Sequence, residues 1–247
     1  MMRKTYFFSL LFFLLLVGYT ASAQWRFNLE SGVVFSGYND VQVPGDEGTF
    51  FALEGDLSSR SQVYYRLRLQ YTLNNKHTFS ALFAPLNINY EGEFDREVLF
   101  FNQTFLPNTP IEANYQFNSY RFTYRYEFPR KGRFRWGIGA TAKIRDAAIR
   151  LESDTQMEEK TNVGFVPLIN FRAEWFAKEQ LSIVLVGDAL ASPQGRAEDV
   201  LLAAYLYPNR WVTLKAGYRL LEGGADNDEV YNFSLLHYAV IGAIINF

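Results

Sequence analysis

Val230–Phe247 reads VYNFSLLHYAVIGAIINF and ends the chain on an aromatic residue. Phe233, Leu235, Ala239, Ile241, Ala243, Ile245 and Phe247 give one parity a mostly apolar character, while Asn232, Ser234, Tyr238 and Asn246 occupy the other. Successive side chains of a strand point to opposite faces, so this is an amphipathic strand with one face suited to lipid. An open sheet edge in lipid would leave backbone N–H and C=O groups without partners. Such a strand needs another to close against, and the rest of the chain has to supply it.

Working outward, the same alternation recurs. Trp25, Phe27, Leu29, Val33 and Phe35 alternate with Arg26, Asn28 and Glu30, and Val63, Tyr65, Leu67, Leu69, Tyr71 and Leu73 alternate with Arg66, Arg68, Gln70 and Thr72. Tyr120–Phe128, Phe134–Ile144, Phe165–Trp175, Leu181–Leu190 and Val212–Leu220 follow suit. His77–Tyr90 keeps no single parity, and Val200–Tyr207 is apolar on both, so the facing of these two is left open. Pro167 cannot donate to a ladder and predicts a bulge.

The connections sort by length. Short turns stand at Asn74-Asn75-Lys76, Pro129–Gly132, Ala177–Gln180 and Pro208-Asn209, and asparagine tolerates the left-handed conformations of tight turns. Longer, acidic loops are expected at Tyr38–Arg60, Glu91–Ala113, Glu152–Thr161, around Pro193–Asp199 and at Glu222–Glu229. Short turns alternating with longer loops over an even number of strands form the pattern of a bacterial barrel. The expected fold is therefore all-β, a transmembrane antiparallel up-and-down barrel of about ten strands, with eight or twelve as alternatives. A soluble β-sandwich has no reason to keep that phase.

The ends and totals agree. Arg3 and Lys4, a short apolar run to Val17 and the small-residue site Ala21-Ser22-Ala23 form the pattern of a cleaved secretory signal over residues 1–23, leaving 24–247 as a single barrel domain. Loss of Arg3 and Lys4 takes the formal net charge from −2 to −4, which speaks against nucleic acid as a partner. There is no cysteine, so the fold cannot use disulfides or thiolate metal sites. Aromatic residues make up 17% of the chain, among them 23 phenylalanines and 16 tyrosines. That suits the interfacial girdles of a barrel.

With the signal, the alternating strands and the terminal Phe247 in view, the chain resembles the small outer-membrane β-barrels of Gram-negative bacteria across essentially its whole length. The resemblance implies an outer-membrane location, contact with outer-membrane lipid and lipopolysaccharide, and recognition of the last strand by the barrel-assembly machinery. A monomer without cofactors is expected. It does not imply one function, because porin-like proteins, enzymes and adhesins share these features.

The inward parity gathers Arg66, Arg68, Arg121, Arg125, Arg135, Lys143, Arg145, Arg172, Lys215 and Arg219, with Arg26 and Arg133, against Glu30, Glu127, Glu174 and Asp188. Arginine forks can knit such a lumen into a plug with carboxylates, or a ring of cations can attract anionic solutes. Acidic loops would oppose anion entry, which favours loops packing over a basic plug. The role expected is structural, surface-interacting or a narrow passage, with an outer-membrane hydrolase as the alternative.

The hydrolase reading rests on little. Lipid A deacylases carry a His and a Ser two apart, and here His237 is followed by Ala239; omptin proteases, similar in strand number and size, use an Asp pair with a His-Asp pair. The parity set by Phe247 turns His237 toward lipid, and His77 lies by a periplasmic turn. Asp40, Asp46, Asp226 and Asp228 supply carboxylates without an accompanying nucleophile. Asp226-Asn227-Asp228-Glu229 offers oxygen ligands to a hard cation but lacks the spacing of an EF-hand, so a solvated turn is preferred and no metal is expected.

Overall fold

The computed structural model describes residues 23–193 and 195–247. The expected signal lies outside the described residues except for Ala23, which begins the first strand. In chain order the strands are β1 (Ala23–Gln42), β2 (Phe51–Ala52), β3 (Leu57–Ser59), β4 (Gln62–Leu73), β5 (His77–Ala84), β6 (Asn87–Glu93), β7 (Val98–Phe100), β8 (Gln103–Phe105), β9 (Pro110–Glu127), β10 (Phe134–Glu152), β11 (Met157–Lys178), β12 (Leu181–Ser192), β13 (Gly195–Leu206), β14 (Val212–Asn227) and β15 (Val230–Asn246).

Ten of these form an antiparallel wall in the order β1-β4-β5-β9-β10-β11-β12-β13-β14-β15. It closes on itself through β1 and β15, paired from Arg26–Asn246 to Gln42–Tyr231. Phe247 N donates to Trp25 O at 2.9 Å, which extends the seam between β1 and β15 to the last residue. Trp25, Leu69, Phe122, Trp136, Ile169, Leu202, Leu214 and Ile241 are exposed around the outside, as a lipid-facing belt requires. At the end carrying the termini the turns are short, and Asn74 and Asn75 take φ of 53° and 56°.

The opposite end differs from the sequence reading, because polar strand tips that rise above a membrane need no apolar face and so read as loop. β10 continues to Glu152 and β11 starts at Met157, so that Lys160 lies on a strand. β12 and β13 are joined through residues 193–194, which places Arg196, Glu198 and Asp199 on β13. β14 continues to Asn227, leaving Asp228 and Glu229 as the turn. Arg133 precedes β10 at the periplasmic rim and is exposed rather than luminal.

The two segments left open resolve. On β5 Thr78, Ser80, Leu82 and Ala84 point inward, and beyond the break at Pro85 Leu86, Ile88 and Tyr90 keep that parity into β6. Leu86 and Ile88 break the alternation because the upper interior is apolar, whereas Leu82 is an apolar inward residue at the level of its cross-strand neighbours Arg68 and Arg121. On β13 Asp199, Leu201, Ala203 and Tyr205 are buried while Leu202 and Leu206 face out. The expected bulge is absent at Pro167, which pairs in register with Ala142. Bulges fall instead at Gly37 and between Phe176 and Lys178. The first reverses the parity of β1, so that Asn39 and Val41 are buried after Val34.

The connections from Val43 to Asp56 and from Phe94 to Asn108 fold over one side of the mouth as a cap. Phe51 packs edge-on against Phe94 at 5.3 Å and Phe100 at 5.9 Å. Thr49 N donates to Leu99 O and Phe101 N to Val43 O, at 2.9 and 2.7 Å. Below them the cap core merges with inward Val34, Tyr64, Ile88, Tyr90, Ile111 and Tyr115. The loops cover the barrel through apolar burial rather than through their acidic residues.

Candidate functional site: a charged belt between two chambers

Inward positions on β1, β4, β9, β10, β12, β13 and β14 converge at mid-height. Glu30 accepts from Lys215 Nζ at 2.6 Å and Arg219 Nε at 2.9 Å, with Arg66 Nε at 3.8 Å. Asp199 accepts from Arg66 Nη2 at 2.7 Å and from Arg219 Nη1, and Arg121 Nη2 lies 2.6 Å from it as an ion pair without hydrogen-bond alignment. Arg121 also donates through Nη1 to Asp188 at 2.7 Å, and Asp188 accepts from Thr141 at 2.6 Å and Asn170 at 2.7 Å. A lower cluster joins Arg125 to Glu127 at 2.7 Å and Arg172 to Glu174 at 3.0 Å, with Ser182 and Tyr207 also donating to Glu174.

The Arg121, Asp188, Asp199 and Lys215 side chains are between 1% and 4% exposed. Withdrawing an ion this far from water costs several kcal/mol, and is offset only when geometry is good and the remaining donors and acceptors are satisfied. Forked arginines bridging two carboxylates supply much of that geometry, although Arg121 Nη2 and Glu127 Oε2 are buried without a hydrogen-bond partner among the described residues. The belt therefore ties opposite walls together across the lumen.

The ten cations picked out by the inward parity divide into two groups. Arg66, Arg121, Arg125, Arg172, Lys215 and Arg219 carry ion pairs. Among the described residues Arg68, Arg135, Lys143 and Arg145 have no carboxylate within ion-pair distance: Arg68 donates to Ser80 at 3.1 Å, Arg135 lies 5.7 Å from the Phe176 ring, Lys143 sits 4.7 Å over Phe117, and Arg145 donates to Asn162. Asp199, the hub of the belt, was hidden by its assignment to a loop. Its position follows from β13 starting as early as Gly195, paired with Ser192, which brings Asp199 into the inward parity.

The belt separates two chambers. The periplasmic one, about 540 Å³, is lined by Arg26, Arg68, Arg135, Glu174 and Tyr207 and reaches Trp211 and Phe247 at the rim. The outer one, about 410 Å³, is bounded by Phe117, Ile149, Leu168, Leu190 and Leu221 with Lys143 and Arg145 beside them. Asp199 borders both.

The other candidates lie outside the lumen. His237 faces outward, its Nδ1 hydrogen-bonded to Tyr218 Oη and its ring stacked on Phe35 at 5.1 Å. His77 pairs with Tyr124 Oη at 3.0 Å near the periplasmic turns. At the β14–β15 turn Asn227 Oδ1 accepts from Glu229 N and Val230 N, at 3.0 and 3.1 Å, so its oxygen is committed to the turn. Among the described residues no group of three or more His, Asp or Glu is arranged to hold a metal ion.

No family model and no curated protein sequence matches the chain. Solved structures do. The outer membrane protease OmpT from Escherichia coli is similar at a TM-score of 0.52 and 10% identity, over 91% of this chain and 97% of that one. Ail, the attachment invasion locus protein of Yersinia pestis, has a TM-score of 0.43 at 12% identity over 90% and 99%. Neisserial surface protein A has a TM-score of 0.31 at 13% identity over 92% and 99%. At such identities the likeness to OmpT concerns the fold alone. With its closed ten-stranded wall and apolar outer belt, the chain has the fold of the small bacterial outer-membrane β-barrels.

Proposed function

We propose that this protein is a non-conducting outer-membrane barrel with a structural or surface-interaction role, in which the wall holds the cap of residues 43–56 and 94–108 at the cell surface. The observation that carries this reading is the belt around Asp199: paired side chains cross the lumen at mid-height, and the cap packs over one side above it. Of the roles expected from sequence, the narrow passage is the one these contacts speak against. A pore needs a continuous aqueous path, and the belt cations Arg66, Arg121, Lys215 and Arg219 are paired with Glu30, Asp188 and Asp199. Insertion through the β15 strand ending in Phe247, by the barrel-assembly machinery, belongs to the same proposal, as does lipopolysaccharide around the outer belt. Liposomes loaded with a chloride-sensitive dye test it. With the folded protein inserted, chloride entry is expected to match that of protein-free vesicles. Rapid chloride entry would overturn the proposal.

A further inference from the structure

The barrel wall has a notch between β11 and β12. Their ladder rises from Lys178–Leu181 to Ile169–Ala189 and ends there. Above it Leu190, Ala191 and Ser192 pair only with β13, and Val166, Pro167 and Leu168 only with β10. Proline has no N–H to offer a ladder and is at home on such an edge. Phe165 lies ten residues above Trp175 on β11. At roughly 3.3 Å per residue and a tilt of about 40°, that separation is about 25 Å, the height of a barrel's apolar band. Trp175 and Phe165 both face out, 41% and 64% exposed. With Trp175 near the periplasmic interface, the notch opens at the outer one.

Behind the notch lies the outer chamber. Ile149, Leu190 and Leu221 make its walls apolar, and its cations stand at the height of the opening. Lys143 is the cross-strand partner of Val166, and Arg145 of Gly164. The Lys143 ammonium is buried over Phe117 with no carboxylate in ion-pair reach among the described residues. Arg145 Nε is likewise buried without a hydrogen-bond partner among them. Of the three acids lining the chamber, Asp199 holds Arg66, Arg121 and Arg219, Glu222 holds Arg196 and Tyr38, and Glu198 is exposed and outside ion-pair distance of either cation. A buried cation without a counter-ion beside an apolar cavity is half of an ion pair. The volume, about 410 Å³, falls in the usual small-molecule range of roughly 300–1,000 Å³.

We propose that the outer chamber binds an acyl-chain amphiphile with an anionic head, admitted through the notch between β11 and β12, its chain against Ile149, Leu190 and Leu221 and its anion on Lys143 and Arg145. The ligand chemistry has two possible sources, a free fatty carboxylate and an anionic membrane lipid.

The test uses full-length protein in phosphatidylcholine nanodiscs titrated with radiolabelled laurate. Binding is expected to be saturable, displaced by unlabelled laurate but not by acetate, and only weakly opposed by dodecanol. The double variant Lys143→Met, Arg145→Gln should weaken it by about tenfold. Leu190→Trp, which fills the chamber without touching its charges, should also block it. Repeating the titration with phosphatidylglycerol in the disc separates the sources: loss of laurate binding identifies membrane lipid as the occupant, and unchanged binding identifies the free amphiphile. Absence of saturable binding to the folded protein, or binding that either folded variant leaves unchanged, would overturn the proposal.

Discussion

Arg121 on β9 places its Nη2 2.6 Å from Oδ2 of Asp199 on β13, four strands away around the ten-stranded wall. One ion pair thus spans the interior, and the same carboxylate receives Arg66 and Arg219. Asp199→Asn would leave those guanidinium groups buried with one acceptor charge fewer. Breaking a buried pair by removing one partner costs about 3–5 kcal/mol. A loss of that size is expected in urea unfolding followed by tryptophan fluorescence in detergent micelles.

The cap should open independently of the barrel. Phe51 is fully buried between Phe94 and Phe100, and truncating a buried phenylalanine costs about 3–5 kcal/mol. Phe51→Ala is expected to make residues 43–56 and 94–108 sensitive to limited proteolysis while the unfolding of the wall changes little. Conductance should stay absent, because the belt lies below the cap.

Acid should loosen the same cap. Partial burial pushes the Asp56 carboxyl up, but hydrogen bonds from Arg96 and Ala52 N and the Arg96 charge outweigh it and hold the group below its ordinary value. A carboxylate depressed on folding contributes stability that is present above the unfolded pKa, about 3.9, and is lost as pH falls through the folded one. Hydrogen exchange of the cap amides should therefore be unaffected between neutral pH and about 5 and accelerate beyond its intrinsic rate below about 4. Arg96→Gln should reduce that acid-dependent component.

Gly37 gives His237 its room. A Cβ at Gly37 would lie 2.5 Å from His237 Nε2, so Gly37→Ala forces the imidazole off Phe35 and Tyr218 or distorts the bulge. A loss of about 1 kcal/mol is expected for Gly37→Ala. Much of that loss should disappear when the same substitution is made in a His237→Ala background, as a coupling in the double-mutant cycle.

Much of this architecture was legible because lipid imposes period-two alternation on every membrane-crossing strand. Val63–Leu73 and Phe134–Ile144 display it fully, and the cluster Arg66, Arg121, Lys215 and Arg219 followed from parity alone. What escaped had local causes. The Gly37 bulge reverses parity within β1 without a break in composition. Leu86 and Ile88 point into an interior made apolar by loops distant in sequence, so their strand could not display alternation. Asp199 sits on a strand tip whose charges resemble a loop. Which cations would find carboxylates depends on contacts around the barrel, such as Arg121 with Asp199, and no spacing along the chain encodes them.

Closure of the lumen by the belt is open to direct test by single-channel recording across a planar bilayer. Wild-type protein, shown to be folded and inserted, is expected to give no steady current above the leak of the lipid. A stable, anion-selective conductance that falls when Arg66 and Arg121 are neutralised would contradict it.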